Sequence, residues 1–308
     1  MGIGLASTLA RPGERLRILG RDSETCDELG ARGLVRSGLF GEHIVPPEQL
    51  TVGTDPKALA ADPPDWLLIC TKAFATTEVA DAMAPLESVL RTRTRLLLCQ
   101  NGWGNESPFL SYWPEDRLFH ARVITGFHRR SSSRVEITAH ASPIALGSVS
   151  GCEIGSLENV ASRMTAGGIP AETTQDMRAV LWAKMLYNCA LNPLGALVSK
   201  RYGALTEDRA TRALIEAVVR EIFGVLSVTN ISVPWPDAEA YLATFYAELI
   251  PPTAQHESSM LQDLRAGRPT EIEALCGAVE RLAESVDLET PVVSALASLV
   301  RAAEHQTP

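Results

Sequence analysis

The sequence predicts two domains, an α/β domain with a mainly parallel sheet followed by an all-helical domain. In the first half of the chain, short and nearly continuous apolar runs alternate with helical segments. This pattern is typical of a parallel sheet covered on both faces. From position 176 onward, apolar residues recur at helical spacing almost throughout. A length of 308 residues suits two domains, and we predict them at 1–175 and 176–308.

Three apolar runs are the predicted strands of the parallel sheet, at 16–19, 65–70 and 95–100. Between the last two, residues 76–91 carry apolar side chains at helical spacing. The alternating pattern from 119 to 146 predicts an antiparallel extension of the same sheet. A last strand is predicted at 171–174.

Six helices are predicted in the second domain. The first is expected to end at Asn192-Pro193, because a residue before proline avoids the helical region. Thr270 is the predicted cap of the fifth, which places Glu271 in a first turn, where the helix dipole stabilises a carboxylate. The predicted helices span 177–191, 207–228, 236–249, 258–265, 270–286 and 291–305.

Charge and composition argue against several classes of partner. The net charge is −9 and the chain has no Lys/Arg run, which disfavours nucleic acid and anionic membranes. No segment is long and apolar enough for a transmembrane helix, and the opening residues lack the basic region of a signal peptide. The six cysteines form no C-x-x-C pair and the six histidines show no ligand spacing. We therefore expect a cytoplasmic protein without a metal.

The opening residues predict an incomplete phosphate-binding loop. A Rossmann-type dinucleotide-binding domain begins with a strand and G-x-G-x-x-G before its first helix. Here residues 5–10 already have the character of that helix, and Gly2 stands where the third glycine belongs. The first strand is thus expected to be missing. A start site placed too far downstream, a truncation and a real loss of cofactor binding are the open explanations.

Three polar residues follow the predicted strands, at the sheet edge where open α/β folds bind ligands. Arg21 could pair with the 2′-phosphate of NADP, although the neighbouring Asp22 weighs against this. Lys72 could hold a phosphate or an anionic substrate, and Asn101 could orient an amide or a hydroxyl. The alternatives are a surface lysine and a tight turn at Asn101-Gly102.

Lys184, Asn188 and Asn192 are spaced i, i+4 and i+8 and therefore share one face of the predicted helix. Most of their neighbours are apolar, and polar side chains buried on such a helix need partners. A ligand with a carboxylate or hydroxyl would supply them. The alternative is a polar stripe that faces water.

Four motifs together resemble the ketopantoate reductase (2-dehydropantoate 2-reductase) family, over nearly the whole chain. The two C-terminal motifs are specific in order and spacing, whereas the first two are weaker. The motifs are C-T-K-A at 70–73, Q-N-G-W-G-N at 100–105, W-A-K-M-L-Y-N-C-A-L-N-P at 182–193 and S-S-M-L-Q-D-L-R-A-G-R-P-T-E-I at 258–272.

The resemblance implies that the chain uses NADPH to reduce a small anionic 2-oxo acid. The implied reaction is 2-dehydropantoate to pantoate, in pantothenate and coenzyme A biosynthesis, and a homodimer is left open. The implied site residues are Lys184 and Glu271 for catalysis, Asn188, Asn192 and Ser259 for substrate binding, and Gly2, Arg21, Lys72 and Asn101 for cofactor binding.

Two other functions fit the same residues. One is a reductase or opine-type dehydrogenase that acts on a different 2-oxo acid. The other is a non-catalytic ligand-binding homologue that lost its phosphate loop.

Overall fold

The computed structural model describes residues 1–229 and 231–305, which fall into two compact units. Unit 1 comprises Met1–Thr71, Ala75–Gln100 and Glu106–Met177; unit 2 comprises Lys72–Phe74, Asn101–Asn105 and Arg178–Pro308. Two short segments from the first half of the chain thus belong to the helical unit. The domain ranges 1–175 and 176–308 stay predictions, and Asn230 and 306–308 in the second lie outside the described residues.

The described residues of unit 1 contain eleven strands. They are β1 (Leu16–Leu19), β2 (Leu34–Gly38), β3 (His43–Val45), β4 (Leu50–Gly53), β5 (Trp66–Ile69), β6 (Arg95–Leu98), β7 (Leu118–Arg122), β8 (Thr125–Arg129), β9 (Arg134–His140), β10 (Ile144–Gly147) and β11 (Ala171–Thr173).

The largest sheet has the strand order β11-β10-β7-β6-β5. Strands β5, β6 and β7 are parallel, β10 is antiparallel to β7, and β11 is parallel to β10. The predicted strands at 65–70 and 95–100 and the last strand at 171–174 lie in this sheet and are confirmed, whereas the strand predicted at 16–19 does not join it. Within the predicted antiparallel extension, β10 is antiparallel, but β7 is parallel to β6. The assignment of β8 and β9 to that extension is wrong, because they pair with each other and β9 also pairs with β2 in a separate four-stranded sheet. An alternating apolar and polar pattern indicates that one face of a strand is buried, but it does not indicate which strand pairs with it.

Strands β1 and β4 form a parallel pair of their own. Among the described residues, β1 pairs only with β4 and β5 only with β6. Leu19 of β1 still packs against the core cluster to which Leu67 and Ile69 of β5 contribute. Helix α1 (Gly2–Leu9) begins beside the end of β5, where a Cβ on Gly2 would lie 3.2 Å from Cβ of Cys70.

Five helices cover the sheets of unit 1. Leu5 of α1 is fully buried, and Asp22 caps α2 by accepting from the Thr25 backbone N–H at 2.8 Å. The helices after α1 are α2 (Ser23–Arg32), α3 (Thr76–Met83), α4 (Glu87–Leu90) and α5 (Gly155–Ala166).

The described residues of unit 2 form helices joined by turns and loops, without a strand, around a core that includes Trp182, Tyr241 and Phe245. A single π-helical turn, Phe245–Leu249, continues α9. The helices are α6 (Met177–Val198, whose first residue belongs to unit 1), α7 (Tyr202–Glu207), α8 (Arg209–Ser227), α9 (Ala238–Thr244), α10 (Ser259–Arg265), α11 (Cys276–Glu284) and α12 (Pro291–Glu304). No helix among the described residues is long and apolar enough to cross a membrane.

Two predicted helix ends are wrong. Helix α6 continues through Pro193 to Val198, because Leu191 and Leu194 are buried on both sides of the proline. Their packing outweighs the penalty of about 3 kcal/mol for an internal proline. Helix α11 begins at Cys276, so Glu271 precedes it in a turn. Thr270 accepts from the Ile272 backbone N–H at 3.2 Å and caps this turn.

Glu28 on α2 binds the loop between β8 and β9 through hydrogen bonds. Its Oε1 accepts from the Ser131 and Ser133 hydroxyls at 2.5 and 2.6 Å and from the Ser133 backbone N–H at 3.1 Å. These hydrogen bonds, led by that of Ser131, lower the pKa of Glu28 to about 2 from an ordinary 4.5. The charged carboxylate therefore ties the hairpin to the helix.

We expect Glu28→Gln to lower the free energy of unfolding by about 1–2 kcal/mol at neutral pH. Because the pKa of Glu28 is depressed in the folded state, its contribution is complete above about pH 4.5 and is lost as the pH falls toward 2. Urea unfolding of both chains across this range checks the prediction. Glu24→Gln, on the same helix, is the control. A difference from wild type that stays constant with pH would contradict it.

Candidate active site

Lys184 and Asn101 meet within unit 2. Lys184 lies on the second turn of α6 and donates from Nζ to Oδ1 of Asn101 at 2.6 Å. Asn101 lies in the Asn101–Asn105 segment, which follows the end of β6. An amide oxygen thus fixes one hydrogen-bond direction of the Lys184 ammonium group.

The Asn101–Asn105 segment is docked on the helical unit at three points. The Trp103 backbone N–H donates to the Ala274 carbonyl at 2.9 Å. The ring of Trp103 packs on Trp182 of α6, with centroids 5.4 Å apart. Gly102 has φ of +101° and lies so close to Ala274 that a Cβ would collide with its carbonyl. This docking sets the position of Asn101.

Glu271 occupies the other side of Asn101. Its Oε2 accepts from Nδ2 of Asn101 at 2.9 Å, and its Oε1 accepts from the Ala73 backbone N–H at 3.4 Å. The residue is only 6% exposed. Because Nδ2 faces a carboxylate, the oxygen of the same amide must face Lys184. Glu271 therefore orients Asn101, and through it Lys184.

Lys72 joins the same cluster. Its Nζ lies 2.8 Å from Oδ2 of Asp263 and 3.6 Å from Oε2 of Glu271. Burial alone would lower the pKa of Lys72, but the attraction of Glu271 and Asp263 outweighs burial and raises it. The structure thus connects four predicted site residues, Lys72, Asn101, Lys184 and Glu271, through two hydrogen bonds and one ion pair.

The three predicted substrate residues also lie in unit 2. Asn188 is half-buried, one turn after Lys184 on α6. Asn192 is buried, and its Oδ1 accepts from the Tyr202 hydroxyl at 2.6 Å, which leaves Nδ2 as the donor end. Ser259 is the half-buried first residue of α10, directly after the capping residue Ser258.

Gly2 and Arg21 belong to unit 1. Gly2 is the first residue of α1, whose preceding residue provides no side-chain cap for its free N–H groups. Arg21 follows β1 by two positions, and its side chain is 93% exposed. Its Nε lies 3.5 Å from Oδ2 of Asp22, whose Oδ1 caps α2.

Sequence reasoning assigned no role to Asp263, Arg268 or Tyr202. All three contact predicted site residues or one another. Asp263 and Arg268 stand inside the fourth family motif, which was a usable signal. Tyr202 falls outside every motif, ten residues beyond Asn192, and the sequence offered no sign of its contact.

Two family models cover most of the chain. "Ketopantoate reductase PanE/ApbA" matches residues 1–151 and its C-terminal counterpart matches 176–304. A 2-dehydropantoate 2-reductase of Aquifex aeolicus is 34% identical over 284 residues, 89% of each chain. The chain belongs to the ketopantoate reductase family. This is a family of oxidoreductases, so the chain is an enzyme by membership, and the predicted resemblance is confirmed.

Other members of the ketopantoate reductase family are similar over the full length. The 2-dehydropantoate 2-reductase of Halobacterium salinarum is 28% identical, over 99% of this chain and 96% of its own. A PanE/ApbA family ketopantoate reductase of Ralstonia eutropha superposes with a TM-score of 0.82 at 26% identity, over 98% and 94% of the two chains. The predicted fold, a Rossmann-type domain followed by helices, is confirmed.

Gly102→Ala should lower the free energy of unfolding by about 1–3 kcal/mol, because alanine is strained at positive φ and its Cβ collides with Ala274. Urea unfolding measures the change. Gly224→Ala is the matched control, since nothing lies near a Cβ there and alanine should stabilise α8 by about 0.5–1 kcal/mol. Equal stability of Gly102→Ala and the parent chain would refute the docking.

Proposed function

We propose that this chain uses NADPH to reduce a small 2-oxo acid, namely 2-dehydropantoate to pantoate, a reaction of pantothenate and coenzyme A biosynthesis. The observation that carries the proposal is the hydrogen-bonded series Lys184–Asn101–Glu271. It holds an ammonium group in a fixed orientation in a chain that belongs to a family of ketopantoate reductases.

Lys184 is the proposed general acid. Reduction of a ketone adds hydride to the carbonyl carbon and a proton to its oxygen. An ammonium group has three N–H donors, and Asn101 accepts one of them and thereby sets the directions of the other two. One of these would donate to the substrate oxygen, and the proton would pass to it as the carbonyl becomes a hydroxyl. Lys184 then regains a proton from solvent.

Glu271 is the proposed second catalytic residue, which binds and orients the substrate. Its carboxylate is buried with Lys72 and Asn101 as partners, so it acts from a fixed position. Asn188, Asn192 and Ser259 are proposed to bind the polar groups of the 2-oxo acid. The donor end of Asn192 suits a carboxylate or hydroxyl oxygen.

The residues of unit 1 fit a nicotinamide dinucleotide. The free N–H groups at the start of α1 suit a phosphate, and Gly2 lies close to Cys70 without a side chain between them. An acidic residue at this position would accept the 2′-hydroxyl of NAD, but the carboxylate of Asp22 already caps α2. The exposed Arg21 is therefore the proposed partner of the 2′-phosphate of NADPH. Lys72 and Asn101 are the other proposed cofactor-binding residues. When bound, the cofactor supplies the hydride.

The first test is consumption of NADPH by this chain when 2-dehydropantoate is added, with other 2-oxo acids alongside. We expect turnover to be highest with 2-dehydropantoate. Lys184→Ala should lower kcat by about 10²–10⁴-fold, the usual contribution of a general acid, with a much smaller change in the Kd of NADPH. Lys200→Ala is the control, because Lys200 is a surface lysine paired with Asp208 at 3.8 Å. Full activity of Lys184→Ala would eliminate the assignment.

Arg21→Gln tests the choice of cofactor. Loss of a charged hydrogen bond to the 2′-phosphate should lower kcat/KM for NADPH by about 10–100-fold. The value for NADH, which lacks this phosphate, should stay nearly constant. Arg15→Gln removes an exposed arginine just before β1 and serves as the control. An equal loss with both cofactors would argue against recognition of the phosphate by Arg21.

A further inference from the structure

Asp263 is a buried carboxylate with no part in the proposed reaction. It lies on the last turn of α10 and is only 4% exposed. Its Oδ2 accepts from Nζ of Lys72 at 2.8 Å, and its Oδ1 accepts from Nε and Nη2 of Arg268 at 3.1 and 3.0 Å. A carboxylate removed from water is costly unless cations and hydrogen bonds compensate for it. Each oxygen of Asp263 therefore serves a different cation.

Lys72 lies beside two carboxylates, those of Asp263 and Glu271. Lys72 Nζ is 0.8 Å closer to Asp263 than to Glu271, at 2.8 against 3.6 Å. The Glu271 oxygen nearest to Lys72 is Oε2, the same oxygen that accepts from Asn101 at 2.9 Å. A lysine paired with this oxygen alone would pull the Glu271 carboxylate toward itself and so change its alignment on Asn101. Asp263 holds the ammonium group at its own Oδ2 and so limits that pull.

We propose that Asp263 is a positioning residue that holds Lys72 beside Glu271 and so keeps Glu271 aligned on Asn101 and Asn101 aligned on Lys184. Its place in the reaction rests on the proposed function, whereas its hold on Lys72 does not. Arg268 occupies the other oxygen of Asp263, and its side chain is 57% exposed, so it closes the cluster on its outer side. The cluster thus contains three cationic side chains, Lys72, Lys184 and Arg268, and two carboxylates, Asp263 and Glu271.

The contact between Asp263 and Lys72 can be tested without measuring reductase activity, by reductive methylation of lysines at about pH 9 followed by mass spectrometry. Lysines react as free amines, and both carboxylates raise the pKa of Lys72. Lys72 should therefore react more slowly than the exposed Lys57 in the wild-type chain. Asp263→Asn should accelerate labelling of Lys72 about three- to tenfold, the effect of losing one of two carboxylate partners, with Lys57 unchanged in the same digest.

Arg268→Gln is the matched control, because it removes the other partner of the same carboxylate and leaves Oδ2 in place. Labelling of Lys72 should then stay within about twofold of wild type, since its own partners are intact. Acceleration as large as that of Asp263→Asn would mean a general loosening of the end of α10 and would overturn the proposal. So would wild-type labelling of Lys72 as fast as that of Lys57, a result that does not depend on whether any variant folds.

Kinetics provide the second readout. In Asp263→Asn we expect kcat to fall about 10- to 100-fold, the usual effect of a misplacement near 1 Å, and Asp263→Glu to restore part of it. Normal kcat and KM in a folded Asp263→Asn chain would overturn the positioning role. A wild-type chain without reductase activity would refute the proposed function alone, and the labelling result would still decide whether Asp263 holds Lys72.

Discussion

The candidate site depends on the burial of two carboxylates, Asp263 and Glu271, in a helical unit. A buried carboxylate requires cations and hydrogen-bond donors close by. The helices provide Arg268, and the other donors come from two segments of the α/β half of the sequence, around Lys72 and Asn101. Lys72 and Asp263 are 191 positions apart in the chain. Both segments belong to unit 2, where they meet this electrostatic demand and where Trp103 also packs on Trp182.

The same demand orders the groups of the site. Every polar contact in the series Arg268–Asp263–Lys72–Glu271–Asn101–Lys184 joins a donor to an acceptor. An amide in such a series has only one orientation that satisfies both of its ends. The direction of the Lys184 ammonium group therefore depends on Asn101, which is itself oriented by the carboxylate of Glu271. Pre-orientation of this kind reduces the reorganisation needed during a reaction.

Unit 1 shows that side chains can pack together where their strands are not paired with each other. Strand β1 pairs with β4 and β5 pairs with β6, yet Leu19 of β1 and Ile69 of β5 contribute to one apolar cluster. The stabilisation gained by burying apolar side chains scales with the apolar area removed from water, and it does not require hydrogen bonds between the backbones. The position of α1 beside Cys70 follows from the same contacts, together with the complete burial of Leu5.

The sequence by itself determined the two-part architecture, the main parallel sheet, the shared helix face of Lys184, Asn188 and Asn192, and the family. These are local properties, because periodicity and motif spacing depend on neighbours along the chain. Only the tertiary structure decided that α6 passes through Pro193, that Glu271 precedes its helix, and that β9 joins a second sheet. It also decided the contacts of Asp263 with Lys72 and of Tyr202 with Asn192. Those outcomes depend on burial and on charge pairing between distant segments, which no local pattern encodes.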